Sequence, residues 1–397
     1  MSRTASAKLL AWKCSSSEKI LKVLQLTQSE AKEAVPLPGD YSFVEPKTTG
    51  KSLQMRIFDP VHQPGWDPIV ALHPDASCFH TSAWAKVLYQ SYSHRPFYLH
   101  FSCGRRLAAL VPLMEVRSPF TGRRGVCVPF SDACEPLIFD QEMVGLVRDQ
   151  LLRFAQERRW KYLEIRGGRE MLSESAAPSK KYYCHKLDLA VGTEKLFARF
   201  QSRSRGAIRK AEKSGLTVET SKTRQAMLEF YRLHVRTRRR HGLPPQPISF
   251  FVNIYEHVIR HGFGFTVLAH RGSRPIASAI FFQFRKNALY KFGASDKKFQ
   301  ELRANNLVMW QAIQFLARTG AEKLHFGRTE CENDGLRRFK LSWGTEEETI
   351  GYFRVDPSGR ECLTPARPNS GFHKKIFGTL PLVVNRLAGS MIYPHLD

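Results

Sequence analysis

Residues 144–168 read VGLVRDQLLRFAQERRWKYLEIRGG, and residues 305–329 read NNLVMWQAIQFLARTGAEKLHFGRT. At a constant offset of 161, Leu146 meets Leu307, Val147 meets Val308, Gln150 meets Gln311, Phe154 meets Phe315 and Leu163 meets Leu324. Each copy has the apolar spacing of an amphipathic helix, then a tight connection and a short apolar strand. A second echo precedes each copy. Phe97–Val111 (FYLHFSCGRRLAALV) matches Phe265–Ala279 (FTVLAHRGSRPIASA) at an offset of 168, with Gly104 over Gly272, Arg106 over Arg274 and Ala109 over Ala277. Both are expected to be hairpins whose turn needs a permissive residue. Solenoid repeats run to about 20–50 residues, so copies roughly 160 apart indicate tandem domains.

The rest of the 397-residue chain is arranged around these copies. Residues 1–50 read as a loose polar leader, 51–190 as the first mixed α/β domain and 191–262 as a helical basic segment inserted between the copies. Residues 263–360 read as the core of the second domain and 361–397 as a basic amphipathic tail. Within the first domain a strand is expected from Gln54, a helix over 81–92 with Ser82 as its cap, and a turn at Gly122–Gly125. Asp132 and Glu135, in VPFSDACEP, could be catalytic carboxylates, but the two prolines favour an edge loop. The second domain is expected to end in a turn at Glu332–Gly335 and a strand pair through Arg354.

Composition sets limits on function. Hydrophobic content of 42% and aromatic content of 11% fit a folded, globular chain. No apolar run approaches the length of about 20 residues that spans a bilayer. The N-terminal stretch lacks a secretory apolar core of about 7–15 residues, so a cytoplasmic location is expected. The 8 cysteines are scattered without C-x-x-C, which fits free thiols in a reducing compartment and no metal site. A formal charge of +25 predicts attraction to polyanions or phosphate-bearing substrates.

Three places could carry chemistry. The segment Tyr290–Trp310 joins a strand to a helix start, where free amides with Lys297, Lys298 and Arg303 suit a phosphate or carboxylate. An ordinary helix capped by Asn305 or Asn306 is the competing reading. In His325–Gly344, a histidine at a strand end lies among carboxylates and cations and could act as a general base. Arg328 and Lys340 there could clamp an anion. The basic stretch Arg199–Arg240, including Arg203, Arg205 and Arg209, is dense enough to hold RNA phosphates or a pyrophosphate. Neither G-x-x-x-x-G-K-[ST] nor G-x-G-x-x-G occurs, so nucleoside triphosphate and dinucleotide folds lose support.

At these residues the chain resembles the FemAB/CelD-like acyltransferases of the GNAT superfamily, whose members carry tandem GNAT folds. The matching stretches are RRRHGLPPQPISFF at 238–251, YKFGASD at 290–296, LRANNLVMWQAI at 302–313 and FGRTECENDGLRRFKLSWG at 326–344. The resemblance covers roughly residues 75–355. It implies an α/β fold of two tandem GNAT-like mixed-sheet domains. It also implies N- or O-acyl transfer, or aminoacyl transfer, to a cell-envelope, peptidoglycan-precursor or exopolysaccharide substrate. Acyl-CoA or aminoacyl-tRNA would be the co-substrate, with no tightly bound cofactor. The glycine-bearing pyrophosphate loop of ordinary GNAT enzymes, [QR]-x-x-G-x-[GA], has no match at Arg303–Leu307.

The resulting site assignment takes His325 and Asp296 as catalytic. Arg328, Lys340, Tyr290, Lys291, Asn305, Asn306, Trp310, Arg203, Arg205 and Arg209 are taken as substrate-binding. Expected partners are a phosphate-bearing donor or acceptor, including tRNA, and an anionic membrane met peripherally at its cytoplasmic face through residues 372–393. There, Lys374, Lys375 and Arg386 accompany an apolar stripe that Pro381 breaks. The reading from a different class is a non-catalytic, degenerate GNAT module that binds RNA or an anionic membrane.

Overall fold

The computed structural model describes residues 53–172, 176–358 and 377–397. In chain order the first half runs β1 (Leu53–Phe58), α1 (Trp66–Val70), α2 (Ser82–Tyr92), β2 (Arg95–Cys103), β3 (Arg106–Ser118), β4 (Gly122–Val126), β5 (Leu137–Ile138), α3 (Val144–Glu157), β6 (Leu163–Arg166) and β7 (Lys180–Asp188). Next come α4 (Thr193–Arg199), α5 (Ser202–Lys213), β8 (Thr217–Ser221), α6 (Arg224–Arg240) and α7 (Ile248–Ile254). The second half follows as β9 (Gly264–Arg271), β10 (Arg274–Phe284), β11 (Asn287–Ser295), α8 (Ala304–Arg318), β12 (Lys323–Glu330), α9 (Asp334–Leu341), β13 (Glu346–Val355) and α10 (Leu382–Ile392).

The strands form one sheet in the order β1-β2-β3-β4-β6-β13-β7-β12-β11-β10-β9-β8, with β5 paired to β3. Read from either edge, the pairing pattern is the same. β1, β2 and β3 are antiparallel neighbours, as are β8, β9 and β10. β4 runs parallel to β6 as β11 runs parallel to β12, with the repeated helices α3 and α8 as the crossovers. The turn glycines of the two hairpins, Gly104 and Gly272, both sit at φ 58, which a side chain would oppose. The duplicated blocks therefore occupy equivalent places.

The halves are joined by an exchange of strands. β7 leaves the first half and pairs with β12, while β13 returns from the second half and pairs with β6. β7 and β13 pair with each other at the centre, from Glu346↔Lys186 to Tyr352↔Lys180. A cut at residue 190 thus divides the chain but not the sheet.

Local expectations fail at several points. Thr81, not Ser82, occupies the cap of α2; Ser82 is the first helical residue, and its amide and hydroxyl both donate to Asp67 at 2.7 Å. The expected Gly122–Gly125 turn is strand β4, where the missing side chain of Gly125 admits the Trp160 ring. The basic stretch Arg199–Arg240 is not one helix but the end of α4, then α5, strand β8 and α6. The expected turn at Glu332–Gly335 opens helix α9, and the final strand pair is the single strand β13. Lys374 and Lys375 lie outside the described residues.

Candidate functional site

Strands β11 and β12 pair only from Asn287↔Lys323 to Leu289↔His325 and then part. The loop after β4 in the first half fills the wedge between them. Its backbone is forced: Val128 sits at φ 52 and Phe130 at φ 58, conformations that β-branched and aromatic residues resist. The buried Arg166 guanidinium holds this loop by donating to the Val128 and Ser131 carbonyls, both at 3.2 Å. Asp132 follows directly and enters the wedge.

The Asp132 carboxylate accepts from Lys291 Nζ at 2.8 Å and from the Arg328 amide at 3.3 Å. Burial would raise its pKa, but Lys291 and Arg328 outweigh that and hold it at about 2. Lys291 also donates to the Phe130 carbonyl at 2.6 Å and lies over the Phe79, Trp84 and Phe292 rings. Burial lowers the pKa of that ammonium, and Asp132 opposes the shift. Gly327 makes the approach possible. It sits at φ 71, and a Cβ there would lie 3.2 Å from Asp132 Oδ1 and 3.3 Å from the Tyr290 carbonyl.

The expected anion clamp is turned inward. Arg328 donates to the Tyr352 hydroxyl at 2.7 Å and lies against the Tyr182 and Tyr352 rings. Lys340 is 2% exposed and donates to the carbonyls of Gly327 at 2.7 Å and Arg328 at 3.1 Å. Burial pulls its ammonium down to about 8, against the pull of Asp132 and Cys184. Both side chains brace the bulge that β12 makes between His325 and Arg328.

Beside this brace is a cavity of about 560 Å³. Asp75, Asp132, Glu135, Glu170 and Glu348 line it, against only Lys186 and Lys323. Lys186 pairs with Glu348 at 2.5 Å, and Asp132 is matched by Lys291 from behind. Asp75, Glu135 and Glu170 then face Lys323, so a strongly basic chain encloses an acidic cavity. Glu135 is exposed at the cavity rim, where partial loss of solvent, and after it the charge of Glu170, raises its pKa against the Gly168 amide that it accepts from. His80 lines the wall with its pKa lowered by burial to about 4, its Nε2 2.9 Å from the Glu135 carbonyl.

The remaining sequence-assigned residues scatter. His325 does line the cavity, and burial holds it neutral with a pKa of about 4. Its Nδ1 accepts from the Gly327 amide at 2.9 Å, so the proton is on Nε2 and the ring offers a donor, not a base. Asp296 is seven residues beyond Leu289 on β11, roughly 20 Å along the strand from the point where His325 pairs. It caps the following 3₁₀ turn through the Lys298 amide and accepts from Arg274 at 2.7 Å, a structural task. Tyr290 packs on Phe281 and Phe326, and Trp310 is core against Phe197 and Phe200.

Neither asparagine caps α8. Arg303 holds that place at φ 58, and Asn305 donates to Ser295 Oγ at 3.2 Å. Arg203 donates to the Arg338 carbonyl, and Arg205 donates to the carbonyls of Ala198 and Phe200, so both tie α5 to its neighbours. Arg209 is exposed over the Phe197 ring.

Comparison with known proteins bears on the fold. Residues 198–346 match the family described as an acetyltransferase (GNAT) domain. The crystal structure of FemX superposes with a TM-score of 0.59 at 16% identity, covering 72% of this chain and 94% of that one. L-PGS from Bacillus licheniformis gives 0.50 at 13% identity, covering 82% and 96%. At these identities the likeness is one of fold. No curated protein matches the chain.

Proposed function

We propose that the chain is a FemAB-like acyltransferase of the GNAT superfamily, a reading supported by the GNAT-domain match at residues 198–346 and the fold shared with FemX, and that it transfers an acyl or aminoacyl group to an amine. The acidic cavity carries this reading. Carboxylates attract an ammonium group and disfavour a phosphate, so the acceptor is read as the amino group of a cell-envelope precursor. Glu135, with its raised pKa, takes the proton that the ammonium must lose before it can attack. The freed amine attacks the acyl carbonyl. The oxyanion that forms is met by the Nε2–H of His325, and as the carbonyl re-forms the donor's leaving group departs with the proton that the newly bonded nitrogen gives up. Asp132 stays ionised and, with Lys291, Arg328 and Lys340, holds the wedge in shape. Acyl-CoA and aminoacyl-tRNA are both donors consistent with this scheme.

The test offers purified protein an acyl-CoA panel and charged tRNA, with a primary amine acceptor or its hydroxyl counterpart. Products are read by mass spectrometry. Transfer to the amine is expected, with Glu135→Gln lowering kcat/KM by roughly 10²–10⁴-fold and removing the acid limb of the pH profile. Equal transfer to the hydroxyl acceptor would overturn the amine reading. No turnover, with RNA affinity that falls steeply with salt, would favour the non-catalytic module.

A further inference from the structure

α10 presents its faces the wrong way round for a helix on a protein surface. A surface helix normally buries its apolar stripe and shows polar residues to water. Here, beyond Leu382, which starts the helix against the core, the inward face is mostly small and polar. Asn385 is fully buried and donates to the Phe377 carbonyl at 2.7 Å. Gly389 lies so close to the loop connecting α6 and α7 that a Cβ would reach the Pro245 carbonyl oxygen at 1.9 Å. Tyr393 accepts from Arg238 at 2.7 Å and donates to the Pro244 carbonyl at 3.2 Å. These contacts fix the helix rotation and leave Val383, Val384, Leu387 and Met391 outward, 77%, 46%, 62% and 66% exposed. Their spacing along the helix makes one continuous stripe.

A second element extends it. Phe120, 83% exposed at the tip of the β3–β4 hairpin, packs edge-on against His395, with ring centroids 5.4 Å apart. Leu396 follows, also exposed. Six of the seven exposed large hydrophobic residues among the described residues thus share one edge, the seventh being Leu72. Scattered exposed leucines need no explanation, but such a concentration does.

The rim of this edge is basic. Arg386 is exposed on α10, and Arg117, Arg123 and Lys161 are exposed beside the hairpin. The acids nearby are turned inward: Glu115 is held by Arg117, Arg158 and Trp160, and Asp397 by Arg124. No helix among the described residues is long and apolar enough to cross a membrane.

We propose that α10 and the Phe120 hairpin tip together dock the protein on an anionic lipid surface. The apolar stripe enters the headgroup–acyl boundary, and the basic rim faces lipid phosphates. A second copy of this chain would not gain from the basic rim, because an identical edge repels it.

Flotation with vesicles tests this on the full chain. One set is phosphatidylcholine alone, and the other contains about a third phosphatidylglycerol. Wild type should float with the anionic set only. The exposed triple variant Val383→Ser/Leu387→Ser/Met391→Ser, and separately Phe120→Ser, should each weaken partitioning roughly tenfold or more with unchanged melting temperature. Arg123→Gln/Arg386→Gln should weaken it and flatten its salt dependence. Acyl transfer to a water-soluble amine, read on the same preparations, should be unchanged in all of them. No flotation by wild type, or equal flotation by wild type and the triple variant, overturns the proposal. So does a wild-type dimer that the triple variant converts to monomer without any vesicle binding.

Discussion

Replacing Asp132 by asparagine tests whether the wedge between β11 and β12 is held by charge. The carboxyl titrates at about 2 in the fold against an ordinary 3.8, and each pH unit between the two is worth about 1.4 kcal/mol. The ionised form is therefore favoured by roughly 2–3 kcal/mol at neutral pH, an upper figure because burial of Lys291 offsets part of it. Since the folded pKa is the depressed one, this stability is present above about 3.8 and is lost as pH falls through about 2. Asparagine also strands the Lys291 ammonium, whose side chain is only 7% exposed. Breaking a buried pair from one side costs about 3–5 kcal/mol. Asp132→Asn is thus expected to lose roughly 2–5 kcal/mol in urea denaturation at pH 7. Lys291→Met should be milder than its burial suggests, because Phe79, Trp84 and Phe292 already line that place. The double variant should lose less than the sum of the singles by at least about 1 kcal/mol. Additive losses would mean that the two side chains do not act as a pair.

Two further outcomes follow from the same site. Lys340 binds its proton less readily in the fold than in the unfolded chain, so its desolvation cost is present below about pH 8 and disappears as pH rises toward about 10.5. The stability difference between wild type and Lys340→Met should shift in favour of wild type across that window, by up to about 3 kcal/mol in denaturation series. Gly327→Ala, at φ 71 and against Asp132 and the Tyr290 carbonyl, should cost about 1–2 kcal/mol or more; a neutral result would remove the close approach from the account.

The repeat is legible because helix periodicity and hairpin glycines are local signals. Leu146–Phe154 and Leu307–Phe315 lie in equivalent helices, and Gly104 and Gly272 turn equivalent hairpins. Local signals also mark the stretches around Lys291, Arg328 and Lys340, but not which way those side chains turn. Asp132 and Glu135 read as an edge loop because Pro129 and Pro136 interrupt the strand residues around them. Only the exchange of strands brings that loop against β11 and β12, more than 150 residues away in sequence. Asp296 misleads for the opposite reason: a carboxylate between a strand and a 3₁₀ turn looks exposed and reactive, yet its oxygens are used in capping. β8 escapes notice because five residues, TVETS, alternate too briefly between two helical stretches.

The crossing of β7 and β13 has a consequence for how the protein is made. β6 acquires its neighbour on one side only when residues 346–355 arrive, some 180 residues later in synthesis. Until then the nascent first half carries three unsatisfied strand edges, one on β6 and both of β7, at what will become the middle of the sheet. Long-range strand pairing of this kind is slow, and the waiting edges are templates for pairing with another chain. A ribosome stalled before residue 346, or an expression fragment ending near 190, is therefore expected to yield aggregate or a strand-swapped oligomer instead of a free-standing domain.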